Sequence, residues 1–406
     1  MVNSMINENT TKITKYELYS KLPNPFLFDD GTFVKTTDDW HKRRAELYEK
    51  TVNLQFGGMP PEPEFLEVEP LCYGSTEIFR IKTGTLKKPI MFNMYLFRAC
   101  SYSQNAPVVI SGDMCFERMI DKELIQTITK NDINFVMFNR TELAPDISSY
   151  NLEDVENGRN ELGERIWSEL QNGNCGGQIR ETYPDGNYSA VSAWAWGYSR
   201  CVDALEILGN VDLKMVVFTG HSRGAKTAAL AGVVDERARI VNPNATCCGG
   251  NSGYRIYIEA EDENGNVKPC ERIDNIFKLF PAWMGKGMKQ YIGNEQNIPF
   301  DSHEFKAMIA PRILFVSEGA HDIWANPVGS YQTTIAAKEV YKFLGCEENL
   351  FWYFRPGGHD QKVEDLEQLI NIINHIRKGE KINEKFFKKP FKDLDAAYDW
   401  ETPQNN

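Results

Sequence analysis

The pentapeptide Gly220-His221-Ser222-Arg223-Gly224 fits G-x-S-x-G, with the apolar run "KMVVFTG" (214–220) leading in and "AKTAALAGVV" (225–234) leading out. That order predicts a strand, a sharp turn and a helix, with the serine Oγ raised above a sheet. The glycines suit a turn that crowds its own backbone. A helix starting there aims backbone N–H groups at charge developing on an attacked carbonyl. The chemistry is nucleophilic acyl transfer by Ser222. A chance pentapeptide in a turn is the bland alternative, and the strand–turn–helix context weighs against it.

A serine hydroxyl needs a base. The chain has six histidines. His221 sits inside the turn and cannot easily face its own neighbour. His41 and His375 lie in helical segments and read as surface or packing residues. His303 precedes a strand in "FDSHEFKAMIAP", and His321 lies in "EGAHDIW". His359, in "RPGGHD", comes directly after the last β-like run and before the last long helix. Hydrolases of this layout place serine, acid and histidine in that chain order, so His359 is the expected base. The acid should then follow the strand "RILFVS". Asp322 fits, against Glu318, too close to the strand end, and Asp360, which adjoins the histidine itself.

These residues need a scaffold, and the hydropathy pattern supplies one. Short apolar runs recur at 107–111, 133–139, 214–220, 238–242, 312–317 and 349–355, with helix-length segments at 187–208, 224–235, 328–345 and 361–377. Buried runs alternating with helices predict an α/β fold with a mostly parallel sheet covered on both faces. Before it, residues 64–98 alternate as an antiparallel opening section. Residues 1–60 read as an N-terminal arm and a helix over 37–55, closed by "GGMPPEPE". The stretch 251–300 breaks the rhythm and reads as an insertion over the carboxyl end of the sheet, where such folds bind ligands. The expectation is one domain, 1–406.

Composition bounds the partners. With 42% hydrophobic and 25% charged residues the chain is globular, and a net charge of −12 argues against nucleic acid as the main partner. No apolar run is long enough to span a membrane. The N-terminus lacks the pattern of a secretory signal, so a cytoplasmic location is expected for the chain as written, and a secreted or periplasmic one if it has been trimmed. Nine scattered cysteines without CxxC spacing read as mostly free thiols, with a disulfide at Cys247 or Cys248 as the minor expectation.

Taken together, "TGHSRGAKTA" (219–228), "SAWAWGYSRCVDALE" (192–206), "CCGGNSGYR" (247–255), "CERIDNIFKLFPAW" (270–283), "FDSHEFKAMIAPRILFVSEGAHDIWANP" (300–327) and "RPGGHD" (355–360) resemble, in order, the glucuronoyl esterases of carbohydrate esterase family 15, especially the bacterial branch. The resemblance covers nearly the whole chain. It implies an α/β-hydrolase fold, no metal or organic cofactor, and hydrolysis of the ester between a 4-O-methyl-glucuronoyl group of xylan and an alcohol of lignin. By position it makes Ser222 nucleophile, His359 base and Arg223 oxyanion donor. Lys226 and Glu271 would bind sugar hydroxyls, and Trp324 would form part of the sugar wall. The chemistry of these roles is sound. A guanidinium can donate to an oxyanion, and "PVVISGDMC" (107–115) offers no HGGG-type donor. Lys226 lies one helical turn past Ser222, and two cations at a helix N-terminus are unfavourable unless used.

The chain departs from the family where some members carry a triad Glu. Here the position is Ala245, which leaves Asp322 as the acid. "YIEAEDENGNV" (257–267) reads as extra material beside the site and bears on the alcohol half of the substrate. With no leader seen, a role on imported uronate oligosaccharides or simple esters is expected. Two other readings compete. An acetyl or feruloyl xylan esterase would keep the triad without the clamp of Arg223, Lys226 and Glu271. A catalytically inactive carbohydrate-binding relative would not need an intact triad.

Overall fold

A computed structural model describes residues 12–101, 103, 105–115, 121–148, 174–262, 264–391 and 394–404. The chain forms two compact units. The first comprises Val52–Arg239 and Asp274–Lys289, and the second Met1–Thr51, Ile240–Ile273 and Gln290–Asn406.

In the first unit, β2 (Phe65–Cys72), β3 (Thr76–Gly84) and β4 (Pro89–Phe97) form the expected antiparallel meander. Beyond β4 the order runs β6 (Asn134–Phe138), β5 (Val108–Ser111) and β7 (Val216–His221), with β5 parallel to both neighbours. These three strands are buried almost throughout, as a parallel sheet covered on both faces requires. The unit also holds α2 (Lys122–Thr129), α3 (Gly177–Thr182), α4 (Ala190–Leu208) and α5 (Arg223–Val234). The Ser189 hydroxyl caps α4 by accepting from the Ser192 N–H, and Gly209 at φ +61° ends it. From α4, Tyr198 packs edge-on against Phe138 of β6 and Phe218 of β7, with ring centroids 5.1 Å away in each case. Its buried hydroxyl donates to the Thr219 carbonyl at 2.8 Å and accepts from the Gly112 N–H at 2.9 Å. The strand that delivers Ser222 is thereby fixed by packing and by satisfied polar groups together.

In the second unit, β11 (Ile313–Gly319) lies between β8 (Ala238–Asn244) and β12 (Leu350–Arg355), parallel to both. Its helices include α1 (Thr37–Tyr48), α7 (Ser302–Ala307), α8 (Pro327–Phe343) and α9 (Val363–Lys378). All six expected apolar runs are strands, and the pairings among them within each unit are parallel. A separate antiparallel sheet joins β1 (Ile13–Leu18), β9 (Ile256–Glu261) and β10 (Val267–Pro269). The N-terminal arm thus supplies a strand to the hairpin in the 251–300 stretch. That stretch also contains α6 (Ile273–Leu279), and its residues 274–289 belong to the first unit.

Candidate active site

Ser222 stands between β7 and α5 with φ 57° and ψ −120°, a conformation that side chains rarely adopt. The two glycines of the motif have distinct reasons. A Cβ at Gly220 would overlap the Gly224 carbonyl, and one at Gly224 would overlap the Asp113 carboxylate. Asp113 is fully buried, pairs with the equally buried Arg140, and accepts the His221 N–H at 2.8 Å. Arg140 lies 4.9 Å from the Trp194 ring. A buried ion pair is weak evidence for stability. Here it fixes the carboxylate that the turn rests on.

The first turn of α5 carries both expected cations. Arg223 Nη1 donates to Asp146 Oδ2 at 3.1 Å, and Trp283 Nε1 donates to Asp146 Oδ1 at 3.1 Å. The guanidinium lies 4.7 Å from the Phe280 ring and 4.6 Å from that of Trp283, and these rings stack 3.8 Å apart. Near-equal distances to two stacked rings put the guanidinium beside their rim rather than over either face, so the rings act as a wall. Lys226 is buried, with Nζ 5.6 Å from the Trp283 ring. Neither cation is an idle, solvated helix start.

The expected base and acid belong to the second unit. Asp322 follows β11 and His359 follows β12, and His359 Nδ1 lies 2.6 Å from Asp322 Oδ2. Asp322 Oδ1 accepts the Ala325 N–H at 3.1 Å, so both carboxylate oxygens are committed. The acid is buried and the imidazole is one-third exposed. Holding the proton on Nδ1 leaves Nε2 as the basic nitrogen. The two loops are tied by the Ala320 N–H to the Arg355 carbonyl at 2.7 Å and the His321 N–H to the Gly357 carbonyl at 2.9 Å. Gly319 permits this approach, since a Cβ there would overlap the Gly357 and Gly358 carbonyls.

Glu318, Asp360 and His303 are engaged elsewhere. Glu318 is buried, its Oε1 accepts from Asn251 Nδ2 at 3.0 Å and Ser330 Oγ at 2.9 Å, and burial pushes its pKa up to about 7. Asp360 bonds Lys362 Nζ at 3.0 Å. His303 bonds the Pro23 carbonyl at 2.8 Å, and burial pushes its pKa down to about 4. Glu271 is buried and donates its N–H to the Trp324 carbonyl at 2.9 Å. Trp324 packs on Ala245, Cys247 and Ala325. Cys247 and Cys248 are both thiols rather than half-cystines, which corrects the minor disulfide expectation, and so are the other seven cysteines.

The first unit therefore gathers Ser222, Arg223 and Lys226, and the second gathers Asp322 with His359 and Glu271 with Trp324. Sequence reasoning missed Asp113, Arg140, Asp146, Phe280 and Trp283. The one available signal was the aromatic pair inside "LFPAW" (279–283).

A serine on a strained strand-to-helix turn in one unit and an ordered His–Asp pair in the other are the parts of a serine hydrolase, and the parallel strands that carry them are those of an α/β-hydrolase fold. The family model described as "Glucuronyl esterase, fungi" matches residues 166–345. A 4-O-methyl-glucuronoyl methylesterase of Schizophyllum commune is 27% identical over 402 residues, covering 95% of this chain and 92% of that protein. The solved carbohydrate esterase family 15 glucuronoyl esterase from Caldicellulosiruptor kristjansonii is 26% identical, with a TM-score of 0.77 over 95% of this chain and 97% of that one. The glucuronoyl esterase catalytic domain from Hypocrea jecorina has the same fold, with 23% identity and a TM-score of 0.72 over 98% and 99%. Over most of its length the chain is thus similar to glucuronoyl esterases of carbohydrate esterase family 15.

Proposed function

We propose that the protein hydrolyses esters of glucuronoyl or 4-O-methyl-glucuronoyl groups of glucuronoxylan through an acyl-enzyme on Ser222. His359 Nε2 takes the Ser222 proton as Oγ attacks the ester carbonyl, and Asp322 steadies the imidazolium. Arg223 donates to the tetrahedral oxyanion. His359 then gives the proton to the departing alcohol, and a water activated by the same nitrogen releases the uronic acid. Lys226 and Glu271 hold hydroxyls of the acyl sugar, against Trp324. The observation that carries the reading is Arg223 itself: it follows the strained Ser222 directly and is held by Asp146 beside an aromatic wall. The relatives' names support the uronate acyl group.

The test is hydrolysis of benzyl glucuronate beside 4-nitrophenyl acetate, for wild type and Ser222→Ala. Uronate cleavage lost in the variant is expected. Cleavage of the acetate alone, still dependent on Ser222, would keep the triad and remove the uronate clamp. No Ser222-dependent cleavage of either ester would sink the reading.

A further inference from the structure

The loop that carries Asp322 and Trp324 runs from the end of β11 to the start of α8. The Asp322 side chain bonds only within loops: Oδ1 takes the Ala325 N–H and Oδ2 faces His359 Nδ1. Its place is therefore inherited from the strand and the helix at the two roots of the loop. Those roots are joined by a ring of buried polar groups. Glu318, at the end of β11, accepts at Oε1 from the Ser330 hydroxyl of α8 at 2.9 Å and from Asn251 Nδ2 at 3.0 Å. The Asn251 carbonyl accepts from the Thr333 hydroxyl of α8 at 2.6 Å. Lys306, from α7, closes the ring. Its Nζ donates to the Ser330 carbonyl at 2.9 Å, the Thr333 hydroxyl at 2.9 Å and the Thr334 hydroxyl at 2.8 Å. We infer that Glu318, Ser330 and Lys306 are positioning residues for the proposed acid: they fix the end of β11 to the start of α8 and so set where Asp322 meets His359. The inference rests on the esterase reading above and adds to it the residues that hold Asp322 in place.

Energetics gives the first argument. Glu318 and Lys306 are both buried. Their opposite charges offset part of the cost of leaving water, yet apolar residues of the same volume would serve stability as well or better. What the pair adds is direction. Geometry gives the second argument. An ammonium has three protons, and here all three meet acceptors on α8, so the helix cannot slide or turn without breaking a bond to a charged group. Ser330 is the shared member, because its carbonyl holds Lys306 and its hydroxyl holds Glu318. A shift of α8 at this point would carry the loop with it and open the 2.6 Å contact between Asp322 and His359. Glu318 meets both of its donors with one oxygen, so a glutamine can supply the same acceptor.

The experiment compares Glu318→Ala, Glu318→Gln, Ser330→Ala and Lys306→Met in the full chain. Benzyl glucuronate gives kcat. NMR gives the low-field proton of the His359–Asp322 bond, assigned by its loss in His359→Gln. Glu318→Ala and Ser330→Ala should each lower kcat about tenfold, since a misplacement of a fraction of an ångström suffices, and should move the resonance upfield. Lys306→Met should act in the same direction. Glu318→Gln should bring both readouts back near wild type, which a loss of bulk stability would not explain. Glu318→Ala with Ser330→Ala should be no worse than Glu318→Ala alone, because both cut the same link. Ser330→Ala removes one hydroxyl and keeps the carbonyl that holds Lys306, so it serves as the test if Glu318→Ala does not fold. Folded Ser330→Ala and Lys306→Met proteins with wild-type kcat and an unmoved resonance overturn the inference. A Glu318→Gln protein as impaired as Glu318→Ala overturns it too, because the charge of Glu318 and not its hydrogen bonds would then be what matters. If the wild type cleaves no uronate ester, the esterase reading fails, and the resonance, which needs no substrate, still decides whether the ring places Asp322.

Discussion

Asp146→Asn isolates the device that holds Arg223. Asn keeps an oxygen for Trp283 Nε1 and removes the negative charge that faces Arg223 Nη1 at 3.1 Å. A hydrogen bond to a charged group contributes about 1.5–3 kcal/mol. The Arg223 side chain is 25% exposed, which screens part of this, and the Phe280–Trp283 wall remains to limit its swing. A loss of about 1.4 kcal/mol, or roughly tenfold in kcat, is expected. Deleting the donor outright with Arg223→Ala should cost about 10²–10³ in kcat. KM should move little in either variant, since the oxyanion exists only in the transition state. The assay is steady-state hydrolysis of benzyl glucuronate by wild type, the two single variants and the double variant. Because Asp146 acts through Arg223, its substitution should have almost no further effect once Arg223 is gone. Asp146 Oδ2 also lies 3.6 Å from Arg140 Nη2. A tenfold fall that persists in the Arg223→Ala background would place the effect on that second contact and refute the positioning argument, as would an Asp146→Asn enzyme with unchanged kcat.

Asp322→Asn should lower kcat by roughly 10³–10⁴ by spoiling the His359 tautomer, whereas Glu318→Gln, at a carboxyl whose Oε1 is bound by Asn251 and Ser330, should stay within about a few-fold; comparable losses in both would reopen the choice of acid. Gly224→Ala should destabilise by about 1–3 kcal/mol, read as a lower urea midpoint, because the Asp113 carboxylate that a Cβ would strike is pinned by Arg140 and the His221 N–H; an unchanged midpoint would show that the turn has slack. His303, with its pKa pushed down to about 4 from an unfolded value of 6.5, binds fewer protons folded than unfolded between those limits. Its contribution to stability is complete above pH 6.5 and is lost as pH falls toward 4, about 3 kcal/mol over the window. His303→Gln should flatten that part of the stability–pH curve, and an identical acid-side fall in the variant would reject the assignment.

What the sequence showed followed the range of the forces involved. The Ser222 turn was legible because its constraint is local: one strand, one strained residue and two glycines. The order of Asp322 and His359 was legible because each follows an apolar run that could be counted. Asp146 was not, because its partners Arg223 and Trp283 lie far along the chain and no periodicity marks an Asp in a loop. The same holds for Asp113, whose pairing with Arg140 and close approach to Gly224 are purely tertiary. β1 was read only as part of an arm, since "ITKYEL" carries a weak apolar alternation and its pairing with β9 is made largely by backbone groups.

The position of the proposed acid shows how one departure can be absorbed by its surroundings. Ala245 is buried at φ 52° and shares a small cluster with Cys247 and Ala325, on which Trp324 packs. Its N–H is bound to the Ser317 carbonyl at 3.0 Å. A glutamate there would have to displace Trp324 or bury a carboxylate among apolar neighbours, and either is costly. Asp322, two residues before Trp324 in the loop after β11, is placed to meet the need instead. Its Oδ1 caps the Ala325 N–H while Oδ2 holds His359. The small residue at 245 and the proposed acid at 322 are thus one packing solution, in which the space a longer side chain would claim supports the tryptophan proposed as the sugar wall.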